Sequence, residues 1–218
     1  MTSAPTWVHR AYIGSWGRVF AWAYDPLLAR GEQGQLGRLR RLVVEPSRGT
    51  VVELGAGTGR NLEHYAPETE VIVTEPDAAM AERLERRAAA RQRTEVRRAP
   101  AEALPIPDQH ADVVISTLVL CTVRDPAAAL SEAYRVLRPG GELRFLEHVV
   151  SDDAAVAQRQ RRWAGAWSVL ACGCRCDRAT VDFLEPAGFT DLEVDRRQLR
   201  GMGPLVGEMV IGRAVRPI

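Results

Sequence analysis

From residue 50 onward, the hydrophobic pattern changes repeatedly between two periods. Apolar residues recur at helical spacing around residues 59–66, 77–92 and 126–137, and short β-rich apolar runs separate these stretches. The runs that predict strands are TVVEL (50–54), EVIVTE (70–75), TEVRR (94–98), ADVVIST (111–117) and GELRFLEHVV (141–150). Strands that alternate with helices predict βαβ units, a largely parallel sheet, and a ligand site at the carboxyl ends of the strands.

Both ends of the chain depart from this alternation. Helical spacing predicts one helix from Trp16 to the YDP sequence, and a second from Gln35 to Val44. We expect residues 1–45 to be a helical segment that packs on a domain formed by 46–218; docking on a membrane surface is the alternative. Near the other end, TDLEVDRRQL and GEMVIGRAV predict two more strands, which the Gly-rich RGMGP joins.

Composition narrows the function classes. A chain of 218 residues with 46% hydrophobic content is long enough to bury one sizeable core. Its 29 basic and 28 acidic residues leave a formal charge of +1, which gives no reason to expect a nucleic-acid partner. All the basic residues are arginine, so a P-loop lysine, a lysine Schiff base and a catalytic amine are excluded.

The hydropathy pattern predicts no stable membrane insertion. The sequence has no apolar run of about 18 residues, and Trp7, Arg10 and Arg18 interrupt the region where a signal peptide would be apolar. We therefore expect a cytoplasmic protein whose four cysteines are reduced thiols.

The first strand leads directly into ELGAGTGRN, with glycines at 55, 57 and 59. Glycines in a strand-to-helix turn let the backbone approach a ligand closely. The third glycine of a dinucleotide fingerprint is replaced by Arg60, which disfavours a nicotinamide cofactor. Glu75 ends the second strand, where a carboxylate can accept hydrogen bonds from both hydroxyls of a ribose. The motif predicts a nucleoside ligand; a tight turn beside a surface glutamate is the alternative.

Four segments together resemble the class I S-adenosylmethionine (SAM)-dependent methyltransferases: VVELGAGTGRN, VIVTEPDAAM, APAEALPIPDQHADVVIST and AYRVLRPGGELRFLEHV. The resemblance implies a Rossmann-like α/β fold: a mostly parallel seven-stranded sheet with an antiparallel C-terminal hairpin strand, helices on both faces and an N-terminal helical lid at 1–45. It also implies that residues 46–218 form the methyltransferase domain, with a substrate-covering insertion at 151–178, and that SAM is the cofactor.

The resemblance further implies a set of cofactor-binding residues. They are Glu53, Gly55, Ala56, Gly57, Gly59, Asn61, Glu75, Pro76, Met80, Ala101, Glu102, Thr117 and Leu118. By this resemblance Glu53 and the glycine loop surround the methionine part of SAM, and Glu75 holds the ribose. Pro100 stands where the family often has an acidic residue for the adenine amino group, so the Ala101 backbone, Glu102 or shape alone takes that role.

A second set of segments resembles a narrower subfamily, the small methyltransferases that include thiol S-methyltransferases. STLVLCTV, RVLRPGG and FLEHV are followed by W-x6-C-x3-R-x-T, which spans Trp167, Cys174, Arg178 and Thr180. Known members carry an N-terminal membrane-associating segment, whereas this chain has only a short aromatic-rich helix. The resemblance implies methyl transfer to a small, hydrophobic acceptor at sulfur, oxygen, nitrogen or carbon.

Methyl transfer needs a nucleophile in line with the departing sulfur, and it needs a base when the acceptor is a phenol or a carbon acid. His148 is the best base candidate; a structural histidine that orients Glu147 or binds a loop carbonyl is the alternative. The predicted lining of the substrate pocket is Tyr12, Tyr24, Cys121, Trp163, Trp167 and Cys174. Tryptophan bulk favours a lipophilic acceptor, although the same side chains can serve as core contacts.

Three cysteines alternate in ACGCRCD, at 172, 174 and 176, and the segment leads into a helix predicted to begin near Asp177. Alternate residues of a strand point to opposite faces and zinc sites use C-x2-C pairs, so we predict no metal site. Cys174 is the one cysteine placed near the acceptor by the subfamily resemblance. Two alternatives stay open: a SAM-binding protein without chemistry, and an arsenite methyltransferase in which Cys121 and the cysteine cluster bind trivalent arsenic.

Overall fold

The structure is a computed structural model that describes residues 32–199, 202–203 and 205–218. These residues form a seven-stranded sheet in the order β3-β2-β1-β4-β5-β7-β6. The strands are β1 (Thr50–Leu54), β2 (Glu70–Thr74), β3 (Thr94–Arg97), β4 (Ala111–Thr117), β5 (Leu137–His148), β6 (Thr190–Gln198) and β7 (Glu208–Val215). Strands β1 to β5 are parallel, and β7 lies antiparallel between β5 and β6. The predicted fold class is confirmed.

Four α-helices accompany the sheet in the described part of the chain. They are α1 (Gln35–Val44), α2 (Ala78–Ala88), α3 (Pro126–Val136) and α4 (Ala154–Leu170). An aspartate precedes each of the last three, and its carboxylate accepts hydrogen bonds from N–H groups of the first turn: Asp77, Asp125 and Asp153. None of these helices combines the length and the apolar character that a membrane span requires.

Two helix predictions are wrong. The stretch 59–66 contains only a 3₁₀ turn, Leu62–His64, because Gly59 is left-handed at φ +84° and Tyr65 is extended. The helix predicted to begin near Asp177 is replaced by the 3₁₀ turns Thr180–Phe183 and Glu185–Ala187. Pro186 has no N–H to continue a helix there.

The core lies on both faces of the sheet. Val51 and Val52, adjacent in β1, are fully buried in different clusters, because successive side chains of a strand point to opposite faces. Helix α1 contributes Leu36 and Val44 to the cluster around Val51, so this part of the predicted lid packs into the core. The remainder of that prediction, including Tyr12 and Tyr24, lies outside the described residues.

The sheet order places β1 and β4 side by side, although β2 and β3 separate them in sequence. The chain therefore leaves β1 toward one edge of the sheet and later returns to the other side of it. In parallel sheets, such a reversal opens a crevice beyond the carboxyl ends of the strands, where ligands bind. The loops that follow β1, β2, β4 and β5 meet there.

Candidate active site

The loop that follows β1 turns sharply at two glycines. Gly55 and Gly57 have φ of +49° and +59°, in the left-handed region that favours glycine. A Cβ on Gly55 would lie 2.9 Å from Cγ1 of Val119, whereas a Cβ on Gly57 would meet no atom within 4 Å. The loop thus packs closely on the β4 loop at Gly55 and leaves open space for a ligand at Gly57.

Glu75, directly after β2, reaches back to this loop. Its Oε2 accepts a hydrogen bond from the Gly57 N–H at 2.9 Å, and its Oε1 accepts one from the Asp77 N–H at 2.8 Å. The side chain is buried, and this burial raises the pKa of the carboxyl. The two amide donors fix the carboxylate beside the open space at Gly57, and a carboxylate has further lone pairs for ribose hydroxyls.

Glu53, in β1, lies below the loop and is fully buried. Its Oε1 accepts from Asn61 Nδ2 at 2.9 Å, and its Oε2 accepts from the Tyr65 hydroxyl at 2.8 Å. Desolvation raises the pKa of Glu53 to about 7, although these two donors and the nearby Arg40 oppose the shift. The floor of the site therefore holds a carboxyl group that is close to half-ionised at neutral pH.

Arg40 completes this network from α1. Its Nη1 donates to Asn61 Oδ1 at 2.8 Å and to Thr117 Oγ1 at 3.0 Å, and its Nη2 forms an ion pair with Glu32 at 2.7 Å. Sequence reasoning missed Arg40, although it lies four residues from both Leu36 and Val44 on the buried face of α1. An arginine on the apolar face of a helix was the available signal.

Glu147, in β5, shapes the loop that follows β4. Its Oε1 accepts from the Ser116 hydroxyl at 2.7 Å and from the Val119 N–H at 3.0 Å, and its Oε2 accepts from the Cys121 N–H at 3.3 Å. Leu118 is left-handed at φ +62° between these donors. Burial raises the pKa of Glu147, while its hydrogen bonds oppose the shift. The sequence indicates a role for Glu147 only as a hydrogen-bond partner of His148.

His148, the base candidate, is buried at the end of β5. It hydrogen-bonds with the backbone at Val206 and Glu208, and its Nδ1 has no partner among the described residues. Desolvation lowers its pKa to about 4. The imidazole is therefore neutral at neutral pH and is a much weaker base than a free histidine.

The residues assigned to the adenine region have mixed surroundings. Met80, in the first turn of α2, and Ala101 are buried, whereas Pro76 is exposed. Glu102 Oε1 accepts hydrogen bonds from the N–H groups of Arg124 and Asp125 at 2.8 and 3.3 Å, just before α3. One oxygen of Glu102 is thus engaged in holding the β4 loop, and Ala101 supplies an apolar surface.

The structure brings together two of the four cysteines. Cys121 Sγ and Cys174 Sγ lie 3.9 Å apart and both thiols are buried. Cys176 Sγ instead lies 4.0 Å from the Gln160 carbonyl oxygen, and Cys172 is exposed. Because the alternating cysteines diverge, the three thiols that trivalent arsenic would need do not converge in this part of the chain.

The two tryptophans of α4 are placed differently. Trp167 packs against the apolar cluster formed by Cys121, Ala164, Cys174, Cys176 and Val206. Trp163 is 52% exposed and is not part of this cluster. Only Trp167 lies beside the β4 loop in the described structure.

These features together suit a cationic nucleoside. Glu53, Glu75 and Glu147 stand at the carboxyl ends of β1, β2 and β5, and a positive charge bound in the crevice would favour their ionised forms. The backbone at Gly57, beside Glu75, leaves open space for a ligand, and the buried Met80 and Ala101 lie near the loops after β2 and β3 in sequence. The class of protein that such a fold and site define is a nucleoside-dependent methyltransferase of the Rossmann-like type, and SAM is the nucleoside that carries a transferable methyl and a positive sulfur.

Comparison with known proteins agrees with this assignment. A family model described as a methyltransferase domain matches residues 52–145. Thiol S-methyltransferase TMT1B of Homo sapiens is 34% identical over 171 residues, which are 76% of this chain and 70% of the relative. Thiol S-methyltransferase TMT1A of Homo sapiens is 28% identical over 216 residues, which are 97% of this chain and 88% of the relative. The chain belongs to the SAM-dependent methyltransferase family that includes these two enzymes.

Solved structures show the same fold at lower identity. A SAM-dependent methyltransferase of Thermotoga maritima superposes with a TM-score of 0.65 at 24% identity, over 91% of this chain and 97% of that one. The [4+2]-cyclase SpnF superposes with a TM-score of 0.67 at 21% identity, over 84% of this chain and 80% of that one. The predicted family, enzyme class and cofactor are thus confirmed by the relatives, while the fold alone also occurs in a protein with another named activity.

Proposed function

We propose that the chain transfers the methyl group of SAM to the sulfur of a small lipophilic thiol, and that neither His148 nor Glu147 acts as a base. The two relatives named thiol S-methyltransferases support the acceptor class. The observation that carries the proposal is the state of the two ionisable side chains at the end of β5. Glu147 is occupied by three hydrogen-bond donors, and the pKa of His148 is lowered to about 4.

The lowered pKa of His148 makes it a poor base, so the acceptor's own ionisation matters. Proton transfer from a phenol to a base whose conjugate acid has a pKa of about 4 costs about 8 kcal/mol, and ionisation of the phenol to water at pH 7 costs about 4 kcal/mol. A thiol of pKa about 8.5 is already ionised to a few per cent at pH 7, and reaching the thiolate costs only about 2 kcal/mol. The base role that the sequence suggests for His148 is therefore not part of this proposal.

On the donor side, residues of this chain bind SAM and orient it. Glu75 receives the ribose hydroxyls, Gly57 gives them room, and Asn61 holds the Glu53 carboxyl below the methionine end. Bound SAM supplies a methyl group on a positive sulfur that leaves as a neutral thioether. The fixed loops align the acceptor with the methyl carbon and keep water away.

On the acceptor side, the apolar cluster beside the β4 loop supports a lipophilic substrate. Trp167 and Val206 cover the buried thiols of Cys121 and Cys174 there.

The described cysteines are free thiols, which the cytoplasm keeps reduced, so we place the enzyme in that compartment.

The test is an acceptor panel with the purified full chain and labelled SAM. Alkyl and aryl thiols are compared with phenols and amines of the same carbon skeleton, and the methylated product is identified by mass spectrometry. We expect thioether products, with phenol turnover at least about 100-fold slower. The Glu75→Ala variant, assayed at a SAM concentration below its Kd, serves as the control with weakened cofactor binding. Preferential methylation of a phenol or an amine would overturn the proposal, and SAM binding without any product would favour a non-catalytic binding protein.

A further inference from the structure

The loop after β4 and the loop after α4 are held against each other. The Arg175 N–H donates to the Cys121 carbonyl at 2.7 Å, and Arg178 Nη1 donates to the Val123 carbonyl at 2.9 Å. A Cβ on Gly173 would lie 3.0 Å from the Thr122 carbonyl oxygen, so glycine permits this close approach. Hydrogen bonds to backbone carbonyls therefore hold the two loops close together.

A left-handed turn at Cys172 and Gly173 places the thiol of Cys174 in the interior and that of Cys172 on the surface. Cys172 and Gly173 have φ of +44° and +100°, so the chain reverses between Cys172 and Cys174. Cys172 is exposed, whereas Cys174 is 6% exposed and Cys121 is 0% exposed. The turn thus directs Cys174 Sγ to within 3.9 Å of Cys121 Sγ.

We propose that Cys121 and Cys174 are a reversible dithiol–disulfide site that reacts with a hydroperoxide and, when oxidised, ties the β4 loop to the α4 loop. A disulfide has an S–S length of about 2.05 Å, so the sulfurs need to approach by about 1.9 Å from their separation in the reduced protein. Its effect on the acceptor side rests on the proposed function, whereas the formation of the disulfide does not.

The reaction has two displacement steps. The Cys174 thiolate attacks one oxygen of hydrogen peroxide, the O–O bond breaks, and hydroxide leaves, so that Cys174 becomes a sulfenic acid. The Cys121 sulfur then attacks the Cys174 sulfur, the S–O bond breaks, and the hydroxide that leaves takes up the Cys121 proton as water. Two electrons pass from the two thiols to the peroxide.

The surroundings select Cys174 as the attacking thiol. A hydrogen bond with the Cys121 thiol lowers the pKa of Cys174, burial opposes this, and the Trp167 indole N–H lowers it further. Trp167 Nε1 is buried without a hydrogen-bond partner among the described residues, and it belongs to the same cluster as Cys174, so its N–H is available to a Cys174 thiolate. The same contact with Cys174 raises the pKa of Cys121, and burial raises the pKa of Cys172 and Cys176 to about 11. Cys174 is thus the most readily ionised of the four.

The experiment oxidises the reduced full chain with hydrogen peroxide, removes the oxidant with catalase, and alkylates the remaining thiols after denaturation. We expect the four free thiols to fall to two, with a mass loss of about 2 Da before alkylation. Trypsin releases Cys121 in 99–124 and releases Cys172 and Cys174 together in 163–175. Mapping is therefore done in Cys172→Ser, where a link between these two peptides identifies Cys174 without ambiguity.

Three serine variants complete the design. Cys176→Ser retains the linkage, Cys174→Ser abolishes it, and Cys121→Ser leaves a Cys174 sulfenic acid that dimedone traps. SAM binding and circular dichroism verify the fold of each variant. A linkage through Cys172 or Cys176 would contradict the proposal, and so would oxidation of wild-type Cys174 to sulfinic acid with no linkage.

The activity readout separates this proposal from the proposed function. We expect thiol methylation by the wild type to fall at least about tenfold on oxidation and to return with dithiothreitol. If no thiol is methylated, the peptide map still tests the disulfide. If thiols are methylated but no linkage forms, the redox site fails and the proposed function stands.

Discussion

The guanidinium of Arg40 donates to the side-chain oxygen of Asn61 at 2.8 Å and so joins the helix before the first strand to the loop that follows it. Asn61 in turn donates to Glu53 at 2.9 Å and to Thr117 at 3.0 Å. A single buried cation therefore connects α1, β1, the glycine loop and the end of β4.

Replacing Arg40 removes this cation, so the carboxyl groups of Glu32 and Glu53 lose the positive charge beside them. In Arg40→Met, Glu32 loses its ion pair and Asn61 and Thr117 lose a donor, so we expect the free energy of unfolding to fall by about 3 kcal/mol. Urea unfolding measures the loss. Arg41→Met, at the exposed neighbouring position, should change stability by less than about 0.5 kcal/mol, and equal effects of the two substitutions would contradict the role of Arg40.

Glu53 makes stability depend on pH between its two pKa values. Burial raises its pKa from 4.5 to about 7 in the folded protein, so the folded state holds this proton more tightly than the unfolded chain. The resulting stabilisation is complete below pH 4.5 and is lost as the pH rises through 7. We expect the wild type to lose on the order of 3 kcal/mol relative to Glu53→Gln over this range.

Urea unfolding of the cofactor-free protein at several pH values measures this difference. Glu45→Gln, an exposed substitution at the end of α1, is the control and should follow the wild-type curve. Parallel stability curves for wild type and Glu53→Gln would show that the pKa of Glu53 is not raised.

Glu75 should dominate the affinity for the nucleoside. Glu75→Ala removes a buried carboxylate that the amides of Gly57 and Asp77 hold in place, and we expect a loss of at least about tenfold in SAM affinity. Calorimetric titration with SAM and with S-adenosylhomocysteine measures it. Glu82→Ala, at an exposed position of α2, should bind as the wild type does. An unchanged affinity in Glu75→Ala would place the ribose elsewhere.

A mechanism in which neither His148 nor Glu147 acts as a base has a kinetic signature. The pH dependence of kcat/KM should follow the ionisation of the acceptor, so its midpoint should move with the pKa across a series of thiols. His148→Gln should keep the midpoint for each thiol, because the pKa of His148 lies near 4, far below the range in which thiols ionise. A midpoint that stays fixed across the series and disappears in His148→Gln would identify His148 as a general base.

Periodic burial made much of the fold predictable. β4 was predicted at its observed bounds because it is an apolar run between polar neighbours, and α1 was predicted at Gln35–Val44 because one face is apolar. The structure of residues 59–66 was not predicted correctly, because a left-handed Gly59 and an extended Tyr65 prevent the helix that the apolar spacing indicates. Tyr65 takes that conformation to reach Glu53, a contact that depends on the assembled sheet.

The sequence motif predicts which residues of the site follow the strands, but it does not predict the contacts between residues that are distant in sequence. The glycine loop and Glu75 follow their strands directly, so sequence order places them at one edge. Cys121 and Cys174 are 53 residues apart, and no periodicity brings two such positions together. Their contact depends on the α4 insertion folding back over β4.

The insertion 151–178 leaves the sheet at the end of β5 and returns before β6, while the loops around Glu53, Glu75 and Glu147 are held by hydrogen bonds within the domain. The residues that hold these three carboxyl groups therefore all lie outside 151–178. Under the proposed function, exchange of this one stretch of about 28 residues would alter the part of the acceptor side that α4 contributes and would leave the hydrogen bonds of Glu53, Glu75 and Glu147 intact.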